Sequence, residues 1–265
     1  MTAELVHLEV TDGVAIVRVD HPPVNALSGD VLDQLSKQTD RLEAADDVRA
    51  VVITGTGSKA FVAGADITEF EELIKTGAMP QRAARSRVLF DRIEALPIPV
   101  IAAVQASAVG GGLELALLCD VVLAAEDVRF GLTETRLGLI PGGGGTQRLS
   151  RKVGVGVAKY LLFSGRVIDT SEALRVGLVE QVFPADEVVA EAVRLARTLA
   201  ELPAVAVQAA KAAIDQGTAL PLAKGLDLER DLFLQTFESE DFEEGFRAFL
   251  EKRPPRFNRT PYRRR

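Results

Sequence analysis

The hydrophobic positions in the early part of the chain fall into short runs that predict strands. Two β-branched runs, Leu5–Val10 and Val14–Val19, flank Thr11-Asp12-Gly13, an arrangement typical of a β-hairpin. Mostly apolar runs, which suit strands buried on both faces, follow at Val48–Thr54, Pro99–Val104 and Asp120–Ala125. The pattern therefore predicts a sheet whose central strands are covered on both sides.

Apolar residues at helical spacing predict helices between these strands. One begins after Ser28, whose hydroxyl can cap it, and another covers Ala83–Leu96. Towards the C-terminus the strand signals stop, and further helices are predicted at Val188–Leu202, Ala204–Gln216, Leu222–Thr236 and Asp241–Lys252. Because strands alternate with helices before this point, we expect α/β architecture with a largely parallel sheet. We place the core at residues 1–200 and a C-terminal helical region at residues 201–265.

A glycine cluster opens the helix that is predicted over Gly110–Asp120. Its first turn carries Glu114 among leucines, and burial of an unpaired carboxylate is costly. Glycines allow a ligand to approach the backbone, and the free N–H groups of a helix start can stabilise an oxyanion. Two interpretations follow from this stretch alone: an active site at the helix start, or a tight turn with Glu114 facing solvent. A second glycine cluster, Gly142–Gly145, precedes another predicted helix.

Neither glycine cluster matches a nucleotide-binding motif. In a dinucleotide-binding Gly-x-Gly-x-x-Gly motif that starts at Gly110, Leu115 would occupy the last glycine position, and no lysine follows either cluster as a P-loop requires. The two histidines, His7 and His21, offer neither a metal site nor a triad with a serine elbow. Cys119, the only cysteine, lies among leucines and is expected to be a buried, inert thiol. Carboxylates and backbone amides remain as the chemical groups.

Composition and charge add limits to this picture. The chain has 265 residues, 47% of them hydrophobic, and a net charge of -7, which argues against general affinity for nucleic acid or anionic membranes. The N-terminus lacks the features of a signal peptide and no apolar run spans a membrane, so we expect a soluble, cytoplasmic protein. A basic tail, which we expect to be a solvated terminus with polyanion binding as the alternative, contains Arg253, Arg256, Arg259, Arg263, Arg264 and Arg265.

Three motifs together resemble the enoyl-CoA hydratase/isomerase (crotonase) family. They are Ala60–Ile67, Gly110–Ala116 followed by Cys119-Asp120, and Phe130–Glu134 continued by Leu139–Leu149. The likeness extends from the first hairpin to Phe249–Arg253, and the three motifs have the family's order and spacing. The resemblance implies a crotonase (ClpP-like) fold: a spiral of ββα units followed by a helical region through which subunits assemble.

The resemblance also implies the chemistry of an acyl-CoA thioester. The backbone N–H groups of Ala65 and Gly111 would form an oxyanion hole for the thioester oxygen. Glu114 and Glu134 occupy the two glutamate positions of family hydratases, which together position and deprotonate water and protonate C2. Which glutamate performs which step stays open. The implied reaction is hydration of a trans-2-enoyl-CoA to the 3-hydroxyacyl-CoA, with no metal and no cofactor apart from the coenzyme A of the substrate.

The resemblance also implies that two segments and one lysine near the C-terminus bind the coenzyme A portion of the substrate. The segments supply Asn25, Ala26, Leu27, Ala63, Gly64, Asp66 and Ile67. Lys252 would approach the nucleotide from a neighbouring subunit, although an ordinary exposed helix position is an equal interpretation. Family members assemble as trimers that pair into hexamers, and the apolar C-terminal helices are consistent with this, or with packing onto their own core.

Two departures from the family pattern bear on the shape of the acyl pocket and therefore on which acyl group the protein prefers. Thr133 stands where many hydratases have proline, and Gln105–Val109 replaces a frequent Asn-Gly. The third motif, with its four glycines, is similar to enzymes of branched substrates, so a methylglutaconyl-CoA hydratase is the first alternative and an enoyl-CoA isomerase the second. The alternative outside enzymes is a relative that binds coenzyme A or RNA. The acidic charge balance speaks against RNA, and the glutamate pair against a merely binding protein.

Overall fold

The computed structural model describes residues 3–257, which form two sheets and eleven α-helices. The strands are β1 (Val6–Thr11), β2 (Val14–Val19), β3 (Ala50–Gly55), β4 (Ala60–Val62), β5 (Val100–Val104), β6 (Ser107–Val109), β7 (Val121–Ala125), β8 (Arg129–Gly131), β9 (Ile168–Asp169) and β10 (Gln181–Phe183). The helices are α1 (Gly29–Ala44), α2 (Phe70–Thr76), α3 (Met79–Glu94), α4 (Gly111–Ala116), α5 (Gly145–Val153), α6 (Val155–Ser164), α7 (Thr170–Arg175), α8 (Val188–Ala200), α9 (Ala204–Gly217), α10 (Leu222–Thr236) and α11 (Glu240–Glu251). Short 3₁₀ turns lie at Ile67–Glu69 and Glu134–Leu137.

The larger sheet has the strand order β1-β2-β3-β5-β7-β10. The β1–β2 pair is antiparallel, which confirms the predicted hairpin, and all later pairs are parallel. Every residue of β3 and β5 is buried, as their continuous apolar sequences predict. Helix α8 covers one face of these strands with Val188, Ala192 and Ala196. The buried strands of this sheet form the centre of the hydrophobic core.

The smaller sheet, with the order β4-β6-β8-β9, was not predicted from the sequence. Its strands have two or three residues each, too few for an alternating pattern to be recognisable. β4, β6 and β8 are parallel, and β9 closes the sheet in the antiparallel direction. Because parallel strands end at one edge, the segments that follow β4, β6 and β8 emerge close together. Two of the three predicted motifs begin in these strands and the third follows β6.

The glycine-rich helix is shorter than predicted. α4 ends at Ala116 rather than Asp120, because the backbone tightens to i→i+3 hydrogen bonds at Leu118 and Cys119. Asp120 N then donates to Val100 O at 2.8 Å and the chain enters the large sheet. α4 also lies very close to β4: a Cβ on Gly112 would be 1.7 Å from Val62 O, so only glycine fits at that position.

The other helices agree closely with the hydrophobic pattern. Ser28 Oγ accepts from Val31 N at 3.3 Å and caps α1 as predicted. α3 begins at Met79, before the predicted Ala83, since Pro80 is tolerated in a first helical turn. α2 was missed. Among residues 3–257, no helix is both long enough and apolar enough to cross a membrane.

The four C-terminal helices are found where they were predicted. α9 and α10 pack against each other, and Lys211 of α9 is tied to the core through Asp120 at 2.7 Å and Ile98 O at 3.1 Å. No residue of α10 is buried, and Leu226 is 53% exposed. The division at residue 200 into a core and a helical region stays a prediction.

Candidate active site

The start of α4 and the segment after β4 lie side by side. Gly110 has φ +57°, a conformation that favours glycine, and it turns the chain from β6 into α4. A Cβ on Gly111 would lie 3.5 Å from Ala65 N, and one on Gly64 would lie 3.5 Å from Gly111 N. Leu27 joins this arrangement through a parallel bridge to Ala65. The tertiary structure thus brings together the two residues that were predicted to form the oxyanion hole.

Both amides of this pair are available to a ligand. Neighbouring groups are engaged: Leu27 N donates to Gly64 O at 2.8 Å, and Gly110 N donates to Gly131 O at 2.8 Å. Within residues 3–257, neither the Ala65 N–H nor the Gly111 N–H donates to a protein group. Two unpaired N–H groups on adjoining segments can both donate to one oxygen atom. Their role as an oxyanion hole stays a prediction.

Glu114 is buried inside the site and does not face solvent. Its side chain is 5% exposed, so the tight-turn interpretation of this glutamate is wrong. Oε1 accepts hydrogen bonds from Gly143 N at 2.7 Å and Gly145 N at 2.8 Å, both in the glycine turn before α5. Burial raises the pKa of the Glu114 carboxyl, while these N–H groups and the positive charge of Arg148 act to lower it.

Glu134 lies in the 3₁₀ turn after β8, beside the start of α4. Its Oε1 is 3.2 Å from the position that a Cβ on Gly110 would take. Its Oε2 is buried and has no hydrogen-bond partner among the described residues. Burial raises the pKa of this carboxyl, and the negative charge of Glu114 raises it further. The second predicted glutamate therefore has one oxygen left for a ligand or a proton.

The predicted coenzyme A segments border this site, and one of their side chains has a structural task. Asn25 is buried with φ +56°; its Nδ2 donates to Thr56 O and Ala60 O, both at 2.9 Å, and its Oδ1 accepts from His21 N at 3.0 Å. These bonds hold the loop in shape and occupy the side-chain amide of Asn25. Gly64 and Leu27 are buried, Ala26 and Asp66 are half-buried, and Ala63 and Ile67 are exposed. Their contact with coenzyme A stays a prediction.

The basic residues near the C-terminus lie far along the sequence from the segments that form the site. Lys252 is exposed, with φ +53° at the end of α11, and its approach to a neighbouring subunit stays a prediction. Arg253 is held by Glu244 at 2.6 Å and Glu251 at 2.6 Å. The remaining arginines of the predicted tail other than Arg256 lie outside the described residues: Arg259, Arg263, Arg264 and Arg265.

Sequence reasoning did not identify the groups that orient Glu114. The two glycine N–H donors and Arg148 belong to the third motif, which was recognised as a family motif and as the opening of a helix, but without a role towards Glu114. Cys119 is buried, and burial raises the pKa of its thiol, in agreement with the predicted inert role. Among the described residues, no group of three or more His, Cys, Asp or Glu side chains could hold a metal ion.

Known proteins show which family the chain is similar to. The family model for enoyl-CoA hydratase/isomerase matches residues 9–260. A short-chain-enoyl-CoA hydratase of Clostridium acetobutylicum is 41% identical over 247 residues, covering 93% of this chain and 94% of the relative. The mitochondrial methylglutaconyl-CoA hydratase of Mus musculus is 41% identical over 257 residues, covering 95% of this chain and 82% of the relative.

The solved structures give the same result for the fold. The crystal structure of an enoyl-CoA hydratase from Bacillus anthracis has a TM-score of 0.91 and 38% identity, covering 96% of this chain and 99% of that one. This likeness confirms the predicted crotonase fold. Together with the family match and the relatives at about 40% identity over nearly the whole chain, it establishes that the chain belongs to the enoyl-CoA hydratase/isomerase family.

Proposed function

We propose that the protein is an enoyl-CoA hydratase, a hydro-lyase that reversibly adds water to a trans-2-enoyl-CoA and forms the 3-hydroxyacyl-CoA. The observation that carries this proposal is the pairing of two carboxyl groups, Glu114 and Glu134, beside two unpaired amides, Ala65 N–H and Gly111 N–H. Hydration needs both elements, because water must lose one proton, C2 must gain one, and the thioester oxygen carries negative charge in between.

The amide pair would bind the thioester carbonyl. When water adds to C3, the double-bond electrons move towards the thioester and place charge on its oxygen. Fixed N–H donors stabilise that charge without reorganising, and removal of one such donor typically costs about 3–4 kcal/mol of transition-state stabilisation. Gly111 N–H also lies at a helix N-terminus, whose partial positive charge acts in the same direction.

Burial raises the pKa of both carboxyls, but hydrogen bonds and the charge of Arg148 oppose the rise at Glu114, whereas a neighbouring negative charge adds to it at Glu134. Two N–H bonds to one oxygen favour the ionised form of Glu114, whereas Glu134 has no donor at Oε2 and lies near a negative charge. We assign Glu114 as the base that takes a proton from water as the oxygen bonds to C3. Glu134 then gives its proton to C2. Proton exchange with solvent after product release returns the pair to its starting state.

The acyl group is the finer question. Relatives at the same 41% identity are named for short-chain and for methylglutaconyl substrates, so identity does not choose between them. The two substrates differ chemically, because methylglutaconyl-CoA is branched at C3 and carries a free carboxylate at the far end of its acyl chain. We propose a short, linear 2-enoyl-CoA as the substrate, with methylglutaconyl-CoA as the first alternative.

A panel of purified thioesters tests the proposal. Crotonyl-CoA, hexenoyl-CoA and 3-methylglutaconyl-CoA are each supplied, and loss of the ultraviolet absorbance of the conjugated thioester is followed. We expect the highest kcat/KM with crotonyl-CoA. A higher value with methylglutaconyl-CoA would transfer the assignment to the branched substrate. Absorbance gain from a 3-enoyl-CoA, without hydration of any 2-enoyl-CoA, would identify an isomerase.

The binding-protein alternative is tested separately. A hydratase at this site should turn over crotonyl-CoA and leave labelled RNA unshifted in a gel. An RNA shift that disappears when residues 253–265 are deleted, together with no turnover of any thioester, would favour a nucleic-acid-binding relative.

We also propose that the subunits assemble as trimers or dimers of trimers through the C-terminal helices. Large apolar side chains are exposed there, and they include Ile214, Leu222, Leu226, Phe233, Leu234 and Phe246. Large apolar side chains exposed on one part of a fold are typical of an interface.

Light scattering tests the assembly with a matched pair of variants. Leu226→Glu places a charge on the apolar face of α10 and should reduce the molar mass to that of one chain. Lys224→Glu places the same charge two residues away, on the opposite side of the helix, and should leave the mass at three or six chains. A single-chain mass for the unmodified protein would contradict the proposal.

A further inference from the structure

Arg148 contacts the same glycine that donates to Glu114. Its Nη1 donates to Gly143 O at 2.8 Å, while Gly143 N donates to Glu114 Oε1 at 2.7 Å. Gly143 is therefore held on both sides of its Cα, by the catalytic carboxyl on one side and by a cation on the other. The Arg148 side chain is 13% exposed, so these contacts are largely shielded from solvent.

The guanidinium of Arg148 is itself fixed by α3. Nε donates to Glu94 Oε1 at 2.8 Å and Nη2 donates to Glu94 Oε2 at 2.6 Å, a two-pronged pairing that sets the plane of the guanidinium. Asp91 adds a weaker contact to Nη2 at 3.4 Å. The chain of contacts runs from the end of α3 through Arg148 and Gly143 to Glu114, across segments that are far apart in sequence.

We propose that Arg148 is a positioning residue, which holds the turn at Gly143–Gly145 so that its two N–H groups fix the Glu114 carboxylate for reaction. This inference rests on the proposed hydratase function. Arg148 touches no substrate atom in this role and acts through the turn. Its positive charge also favours the ionised form of Glu114 that takes the proton from water.

The geometry needs an arginine and not only a positive charge. The guanidinium donates to the carbonyl of Gly143 and to both oxygens of Glu94 at once, in a fixed planar arrangement. A lysine would supply the positive charge but not the fixed planar set of N–H donors. Orientation and charge can therefore be separated by comparing Arg148→Lys with Arg148→Met.

The first readout is kinetic. In Arg148→Met we expect kcat to fall by about 10²-fold, the size of loss expected from a small misplacement of a catalytic group, with KM changed by less than about threefold. The acidic limb of the kcat profile should move to higher pH, because the charge and the fixed N–H groups that favour the Glu114 carboxylate are lost. Arg148→Lys should recover much of the pH shift and little of the rate.

The matched control is Arg92→Met. Arg92 is another arginine that ion-pairs with carboxylates, Asp40 and Glu43 of α1, at 2.5 and 2.6 Å, and it makes no hydrogen bond to the glycine turn. The Arg92→Met variant should have a slightly changed thermal stability and an unchanged pH profile of kcat. A shift of the profile in Arg92→Met equal to that in Arg148→Met would reduce the effect to general loss of an ion pair and overturn the inference.

The second readout does not depend on activity. Carboxyl ¹³C signals of glutamate-labelled protein are titrated by NMR, and the Glu114 signal is assigned by its loss in Glu114→Gln. We expect its midpoint to rise in Arg148→Met and to rise less in Arg148→Lys. If the methionine variant does not fold by circular dichroism, Arg148→Lys and Glu94→Gln carry the test, and both should lower kcat.

Two failures are distinguishable. A wild-type protein that hydrates no enoyl-CoA would sink the proposed function, while the NMR midpoints would still test whether Arg148 controls Glu114. A folded Arg148→Met variant with the wild-type kcat, pH profile and NMR midpoint would overturn the positioning role and leave the hydratase assignment untouched.

Discussion

The two glutamates of the site differ in how deeply their carboxyl groups are buried and in how many hydrogen bonds the protein donates to them. Glu114 is 5% exposed, with two backbone N–H groups on one oxygen and Phe90 and Leu132 packed beside the same glycine turn. Around Glu134 the side chain is half-buried, and Oε2 has no partner within residues 3–257. The same side chain thus becomes two chemical groups, one held as an acceptor and one left free to carry a proton.

This difference indicates how each of the two carboxyl groups is held in place. Glu114 is fixed from outside its own helix, by donors 29 and 31 residues further along the chain. Glu134 belongs to a local turn, in which Leu139 N donates back to Glu134 O at 3.0 Å. Perturbing the partners of Glu114 should therefore have larger effects on turnover than perturbing the turn around Glu134, unless the carboxyl itself is removed.

The largest effect is expected from removal of either carboxylate. Glu114→Gln and Glu134→Gln should each lower kcat by about 10²- to 10⁴-fold, the usual contribution of a positioned acid or base. The measurement is steady-state hydration of crotonyl-CoA at the optimal pH.

The double variant sharpens the comparison. Because the two groups act on one reaction, its loss should be much smaller than the product of the single losses. Near-normal turnover in one single variant would show that this carboxyl takes no part in proton transfer, and it would leave the other as the sole acid or base.

A smaller loss is expected from Gly143→Ala. A Cβ at this position would be 2.6 Å from the Phe90 ring and 2.8 Å from Glu114 Oε2, so either the turn or the carboxylate must shift. We expect kcat to fall by about 10²-fold, since misplacement by about 1 Å can have that cost.

The neighbouring glycine supplies the control for this prediction. A Cβ on Gly142 would have no atom within 4 Å, so Gly142→Ala should keep nearly full activity. Equal losses in the two alanine variants would mean that flexibility of the turn matters more than the position of Glu114.

The smallest effect is a pH dependence of stability. Burial raises the pKa of Glu114 in the folded protein above its value in the unfolded chain, about 4.3. The folded state thus binds this proton more tightly, and the resulting stabilisation is present below pH of about 4.3 and is lost as the pH rises through the folded pKa. Glu114→Gln lacks this loss and keeps an oxygen that can accept both N–H bonds.

Urea unfolding from pH 4 to pH 8 measures this effect. The stability of Glu114→Gln relative to wild type should increase with pH and favour the variant at neutral pH. Glu126→Gln removes the same charge from the exposed turn after β7 and separates the effect of net charge. A variant that becomes relatively less stable as the pH rises would contradict the predicted direction.

Much of the architecture could be predicted from local patterns. The hairpin, the fully apolar strands β3 and β5 and the cap at Ser28 depend on residues adjacent in sequence, and all are confirmed. The small sheet was missed because its strands are two or three residues long and form only through pairing with one another. The end of α4 was placed too late, since the pairing of Asp120 with the sheet, rather than helix propensity, stops the helix.

By itself the sequence determined the α/β class, the family resemblance and the choice of two candidate glutamates, since these depend on residue type and spacing. Only the tertiary structure decided that Glu114 is buried, that two glycine N–H groups reach it, and that Arg148 joins that turn to α3. The physical reason is that a hydrogen bond acts over about 3 Å in space. Groups separated by tens of residues meet at that range only after the sheets and helices have packed.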